Sequence, residues 1–284
     1  MPTSTRGNLT FDVRVTGPDD GDPVLALHGF PQRGNSWDPV AAMLGAKGYR
    51  TIAPDQRGYS PGARPVGRRA YALGEITEDA IAVIDDLVGP SGRVHVVGHD
   101  WGAAVAWRLA ARHPDRVRTL TAVSVPPAAA FVRALLTTRQ AFASWYMLAL
   151  QLPVLPERLL AAGDRPFSPA LVSMLLRTGQ TREAAERDAA GLADPQALAA
   201  AIGWYRGMLA ESPTVSDPPV EVPTLFVWSD GDSALTRQST ALVHKYVTGP
   251  FRYAELRGVS HWVPDQAPVE LAELMLEHLA AHPG

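Results

Sequence analysis

The run Val94-His95-Val96-Val97-Gly98-His99-Asp100-Trp101-Gly102-Ala103-Ala104 decides how this chain is read. Its first residues suit a strand, Gly98 and Gly102 bracket a sharp turn, and the alanines open a helix. That is the G-x-S-x-G layout of a strand–turn–helix elbow, with aspartate in the serine position. Such a turn strains its central residue and exposes its side chain, so the flanking residues must be small. A carboxylate held there attacks carbon carrying a leaving oxygen or halogen, and becomes an ester. The alternative is a buried aspartate serving as a helix cap. The recurrence of other parts of a catalytic set at suitable places favours the nucleophile.

Working outward, strands and helices alternate on both sides of the elbow. Leu9 to Val15 reads as an edge strand and Pro23 to Leu27 as a buried one. A helix is expected around Trp37 to Ala46, and a strand over Tyr49 to Ala53, stopped by Pro54. Thr77 to Val88 has apolar residues at Ile81, Ile84, Leu87 and Val88, which predicts an amphipathic helix with Thr77 as its cap. The elbow strand Val94 to Val97 leads to a helix over Ala103 to Arg112 and a strand over Val117 to Val125. Alternation then stops from about Pro127 to Asp217, where only helical segments are read. It resumes with a strand over Pro223 to Trp228, a helix near Thr236 to Tyr246, a strand near Phe251 to Leu256 and a helix from Pro268 to Ala281. Strands alternating with helices imply right-handed crossovers and a mostly parallel sheet. The expected architecture is therefore an α/β core over 1–126 and 219–284, with an all-helical lid over 127–218. Ligands in such sheets bind outside the carboxyl ends of the strands.

Composition sets the outer limits. The 284 residues are 46% hydrophobic and 19% charged, with a net charge of −3, an ordinary globular profile. The small charge gives no reason to expect nucleic acid or a membrane surface as partner. No apolar run reaches membrane-span length and the first residues carry no apolar signal region. The absence of cysteine excludes disulfides, thiolate metal sites and cysteine nucleophiles. Together these favour a cytoplasmic protein, with homodimerisation left open.

Downstream of Asp100 the chain offers Trp228-Ser229-Asp230-Gly231-Asp232 directly after a strand, and Gly258-Val259-Ser260-His261-Trp262 before the last helix. The order nucleophile, acid, histidine is that of an elbow-borne triad. His261 is the candidate base that takes a proton from water. Asp232 is the candidate partner of its other ring nitrogen, with Asp230 as competitor. His28 and His99 are read as shaping loops near the site, and His95 as a strand residue. His113, His244, His278 and His282 are read as helix-end or surface residues. No spacing resembles a metal site. His28-Gly29-Phe30-Pro31 follows a strand beside the elbow, so the N–H groups of Phe30 and Trp101 are expected to face the carbonyl oxygen of an Asp100 ester.

These stretches, together with Asp55-Gln56-Arg57-Gly58-Tyr59-Ser60, resemble the α/β-hydrolase superfamily, and within it the soluble epoxide hydrolases. The resemblance spans most of the core. It departs at Ser60, where the family often has a second small residue, which bears on loop shape. The His99-Asp100-Trp101-Gly102 run marks the aspartate-nucleophile branch, which haloalkane dehalogenases share. Epoxide hydrolases of this fold use two lid tyrosines to hold the epoxide oxygen. Ser144-Trp145-Tyr146-Met147 resembles the first site and Trp204-Tyr205-Arg206 the second. Haloalkane dehalogenases typically carry a polar residue where Phe30 stands. Haloacetate dehalogenases carry arginines where Trp101 and Ala103 stand.

The resemblance implies a small apolar epoxide and water as the reacting partners, and no cofactor or metal. Asp100 would attack, Tyr146 and Tyr205 would hold the oxygen, and His261 with Asp232 would activate water against the ester. Phe30, Trp101, Phe142, Trp145, Met147 and Leu148 would wall the substrate site. A haloalkane dehalogenase with the same nucleophile, and a non-catalytic binding protein of this fold, are the alternatives. The first would release halide, and the second should lack a triad residue.

Overall fold

The computed structural model describes residues 1–210 and 217–283. Eight strands form one sheet in the order β1-β2-β4-β3-β5-β6-β7-β8. They are β1 (Thr3–Arg6), β2 (Leu9–Thr16), β3 (Asp22–Leu27), β4 (Tyr49–Pro54), β5 (Val94–His99), β6 (Val117–Val123), β7 (Thr224–Gly231) and β8 (Phe251–Ser260). The pairs β1–β2 and β2–β4 are antiparallel. From β4 to β8 every neighbouring pair is parallel.

Period-two alternation sends successive strand residues to opposite faces. On β3, Leu25 and Leu27 join the core beneath α2 (Leu73–Leu87) and α3 (Trp101–Arg112). Val24 and Ala26 join the core beneath α1 (Asp38–Gly45) and the last helix, Pro268–Ala281. β5 divides likewise, Val94 and Val96 to one face and Val97 to the other. Both faces are covered, which is why β3 and β5 read as short unbroken apolar runs. Each fully buried Leu or Val in these layers contributes about 1.5–3 kcal/mol.

Between β6 and β7 the described residues hold helices and no strand. These are α4 (Ala128–Thr137), α5 (Gln140–Ala143), α6 (Trp145–Ala149), α7 (Leu155–Leu160), α8 (Pro169–Arg177), α9 (Arg182–Gly191) and α10 (Pro195–Gly207). The expected end of the insertion falls partly on 211–216, outside the described residues. After β7 come α11 (Arg237–Thr240), α12 (Val263–Gln266) and α13 (Pro268–Ala281).

Two expectations need correction. α2 begins at Leu73, so Thr77 is no cap; its hydroxyl donates to the Leu73 carbonyl at 2.8 Å, one turn back. The helix expected over Thr236 to Tyr246 is two short pieces, α11 and a 3₁₀ turn over Val243–Tyr246. His278, read as a helix-end or surface residue, lies in the last turn of α13 and is buried there, where burial lowers its pKa to about 4.

Candidate active site

β5 ends at His99 and α3 starts at Trp101, so Asp100 alone makes the turn. Its backbone has φ 52° and ψ −122°, which a non-glycine residue adopts only when its surroundings enforce it. Close packing does the enforcing. A Cβ on Gly98 would strike the Gly102 carbonyl, and one on Gly102 would strike the Leu27 carbonyl. β3 and its following loop therefore press directly on the elbow. A Cβ on Gly29 would likewise strike the Asp100 side chain.

That pressure brings the Phe30 N–H to 3.4 Å from Asp100 Oδ1, and the Trp101 N–H also bonds the carboxylate. Burial raises the Asp100 pKa, while His261 and these two N–H groups pull it back, leaving it at about 6. The carboxylate is thus ionised at neutral pH yet poorly solvated, which suits a nucleophile.

His261 follows β8 directly. Its Nδ1 lies 2.8 Å from Asp232 Oδ2. The Asp232 side chain is fully buried, and its other oxygen accepts the N–H groups of Ala234 at 2.8 Å and Leu235 at 2.9 Å. Asp230, the competing acid, points elsewhere and accepts the Gly258 N–H at 2.7 Å. Burial alone would lower the His261 pKa. The charge and hydrogen bond of Asp232, with the charge of Asp100, override it and raise the value to about 9.

Tyr146 on α6 and Tyr205 on α10 come together from separate parts of the insertion, with ring centroids 6.1 Å apart. Tyr205 also meets Phe30 and Trp101 edge-on, at 5.4 and 5.2 Å. Burial, and the nearby Asp100 charge, hold the pKa of both phenols above the ordinary value, so both are protonated at neutral pH. The two helices are tied by Gln151, whose amide donates to the Tyr205 carbonyl at 2.7 Å.

The Asp55 to Ser60 stretch anchors α10. Trp204 donates its indole N–H to the Arg57 carbonyl at 2.7 Å. Arg57 in turn forms a buried bidentate pair with Asp79 on α2, at 2.6 and 2.7 Å. Gly58, at φ +91°, lies where a Cβ would meet Ala200 at 3.2 Å. Ser60, the departure from the family pattern, is a structural residue here. Its hydroxyl donates to the Asp55 carbonyl at 2.6 Å and accepts the Asp12 N–H at 2.9 Å. The two site-flanking histidines shape loops. His28 accepts the Gln56 N–H at 3.0 Å, and His99 lies between Gln32 and the His261 carbonyl, at 2.9 and 2.8 Å.

Asp100, Trp101, Tyr146, Met147, Trp204 and Tyr205 line one cavity of about 900 Å³. Its wall differs from expectation. Phe142, Trp145 and Leu148 are 79%, 66% and 76% exposed and stand away from the cavity. On α6, Trp145 and Leu148 are three residues apart and share one face, so turning Tyr146 and Met147 inward turns them out. The Phe30 ring is buried behind Tyr205, so its N–H reaches the site while its ring does not line the cavity. Ala104, Trp107 and Ala111 on α3, with Leu73, Ile76 and Phe131, supply apolar wall that the sequence reading missed. The α3 members were within reach, because they lie four, seven and eleven residues after Asp100, on the helix face that the nucleophile begins.

The chain matches the model of the alpha/beta hydrolase fold family over residues 22–268. It is 32% identical over 278 residues to AB hydrolase superfamily protein YfhM of Bacillus subtilis, covering 95% of this chain and 94% of that protein. It is 31% identical over 311 residues to Epoxide hydrolase A of Mycobacterium tuberculosis, covering 95% of each. Among solved structures, Epoxide Hydrolase A from Mycobacterium thermoresistibile is similar with a TM-score of 0.82 at 25% identity, over 98% of this chain and 97% of that one. A structure described among novel epoxide hydrolases in metagenomes from hot environments reaches a TM-score of 0.84 at 26% identity, over 99% of this chain and 98% of that one. The parallel sheet, the strained elbow and these matches agree, and the chain belongs to the alpha/beta hydrolase fold family.

Proposed function

We propose that the protein is an epoxide hydrolase, converting an apolar epoxide to a vicinal diol through an ester on Asp100. One observation carries the reading: a half-buried carboxylate and two protonated phenols share one largely apolar cavity, with a His–Asp pair whose charge acts on the carboxylate. The phenols answer a need particular to epoxides, whose oxygen leaves as an alkoxide and so requires a hydrogen bond or a proton. The names carried by the similar proteins point the same way. In this reading the helical insertion is a lid that brings the phenols over the nucleophile.

Asp100 attacks one ring carbon from the side opposite the oxygen. The C–O bond breaks, and Tyr146 or Tyr205 protonates the departing oxygen. His261 then takes one proton from water as the hydroxide adds to the ester carbonyl carbon. The N–H groups of Phe30 and Trp101 stabilise the resulting oxyanion. Collapse expels the diol oxygen, which takes the proton from His261. The second proton of that water returns to the phenolate, and Asp100 is again a carboxylate.

The electrostatics order the two steps. The Asp100 charge helps to hold His261 protonated in the free protein. Esterification removes that charge, so the imidazole is released toward its neutral form when a base is needed. Replacing His261 with Gln should leave attack possible and stop hydrolysis. Incubation with an aryl epoxide should then raise the protein mass by that of the epoxide, and Asp100→Ala should show no adduct. Adduct on the Asp100→Ala protein, or halide released from haloalkanes faster than diol forms from any epoxide, would overturn the proposal.

A further inference from the structure

The residues around His261 are fastened to the insertion by a polar dock that lies outside the cavity. Trp262 donates its indole N–H to Thr178 Oγ1 at 3.1 Å. The Gln266 amide donates to the Gly179 carbonyl, while its oxygen accepts from the N–H and hydroxyl of Ser260, at 3.0 and 2.9 Å. Gly179 has φ +92°, and a Cβ there would strike Ser260 at 2.7 Å. The α8–α9 turn thus grips residues on both sides of the base.

Asp265 on α12 is the hub. Its side chain is 5% exposed and accepts from Gln180 at 2.7 Å and from Arg187 at 2.9 and 3.3 Å, both on the insertion. It also accepts from the Gln32 amide at 2.8 Å. Gln32 is the residue against His99, and His99 is the residue against the His261 carbonyl. One carboxylate therefore connects the insertion, the loop after β3 and the backbone of the base.

A carboxylate buried among four donor contacts is costly to disturb, because its partners lose their acceptor with it. None of Gln32, His99, Gln180, Arg187 or Asp265 lines the cavity. We infer that Asp265 is a positioning residue for His261, locking the base loop to the α8–α9 turn and so governing ester hydrolysis while leaving ester formation alone. The kinetic part of this inference rests on the proposed reaction. Attack by Asp100 needs its own carboxylate, held by the Phe30 and Trp101 N–H groups, and the two phenols, and none of these is a dock residue. Hydrolysis needs His261 placed against both water and the ester carbonyl, and misplacement of about 1 Å can cost on the order of a hundredfold.

The test uses Asp265→Asn, and Gln180→Leu as a milder variant that leaves the Arg187–Asp265 pair intact. The first readout is the substrate-free titration of the His261 ring by NMR, which needs no turnover. It should fall in both variants as the hold of Asp232 on the ring loosens, more in Asp265→Asn. The second readout is steady-state kinetics. Slower hydrolysis lets ester accumulate, so kcat and KM should fall together, about tenfold or more for Asp265→Asn, with kcat/KM unchanged. Simple loss of folded protein would lower kcat and leave KM where it was. An unmoved His261 titration, or a fall in kcat at constant KM, would overturn the inference. Failure of the epoxide reading would be seen separately, as no ester in His261→Gln, and the titration would still decide the role of Asp265.

Discussion

Replacing Asp232 with Asn removes the acid partner of His261 while keeping its shape. In the parent, burial works against the imidazolium, yet Asp232 and Asp100 together raise its pKa from 6.5 to about 9. That net rise corresponds to a few kcal/mol, at about 1.36 kcal/mol for each tenfold change in proton affinity. The opposing effect of burial means that the two carboxylates supply more than the net. In the ester Asp100 is uncharged, so Asp232 alone stands against burial. The ester of Asp232→Asn should then hold a histidine titrating below 6.5, with its tautomer no longer fixed. Rate should fall with the pKa, because a weaker and misdirected base takes the proton from water less well; general-base effects of this kind are worth about 10²–10⁴-fold. The assay is single-turnover quenched flow with an aryl epoxide between pH 5 and 9, following ester by intact mass. Parent hydrolysis should decline as pH falls through the titration of His261, since only the neutral ring accepts a proton. The variant should be slower throughout and decline only at lower pH. Asp230→Asn should behave as the parent, because Asp230 holds the Gly258 N–H instead. An unchanged pH profile in Asp232→Asn, or the same loss in Asp230→Asn, would refute the reasoning.

Two further outcomes are expected. Tyr146→Phe and Tyr205→Phe should each slow ester formation by on the order of a hundredfold to a thousandfold, the cost of deleting one donor to a developing charge; full epoxide turnover by the double variant, measured as diol, would contradict this. Asp188 is buried, with Arg187 2.7 Å from one of its oxygens. Burial raises its pKa, Arg187 opposes, Asp265 adds to the rise, and the result is about 7. The folded value therefore lies above the unfolded one. The stability it contributes is complete below the unfolded pKa, near ~3.9, and is lost as pH rises through about 7. Thermal melts of Asp188→Asn should lose less stability than the parent between pH 5 and 8, and parallel curves would count against it.

The parts of this site legible in the sequence are those dictated by local chemistry. An elbow needs small residues beside its nucleophile, so Gly98, Asp100 and Gly102 announce themselves. A strand buried on both faces needs an unbroken apolar run, so Pro23 to Leu27 and Val94 to Val97 do as well. β1 was missed because its four residues, Thr3–Arg6, carry no apolar period and depend on pairing with β2. The choice between Asp230 and Asp232 stayed open because both follow the same strand, and only the turn accepting the Ala234 and Leu235 N–H groups separates them. The outward turn of Trp145 and Leu148 was hidden because apolar content says nothing of which face of a five-residue helix meets the cavity. Of the dock around Asp265 only His99 was legible, as a residue that shapes a loop; its members lie at 32, 99, 180, 187 and 265, and only the tertiary fold joins them.

The central claim is that Asp100 itself is alkylated, and the fate of oxygen tests it directly. In the proposed route water attacks the carbonyl carbon of Asp100, so the oxygen first delivered to the diol comes from the carboxylate. A single turnover with excess protein in ¹⁸O-labelled water should give unlabelled diol and place the label in the peptide that carries Asp100. Diol labelled in that first turnover, with an unlabelled Asp100 peptide, would mean that water attacks the epoxide directly and would contradict the account.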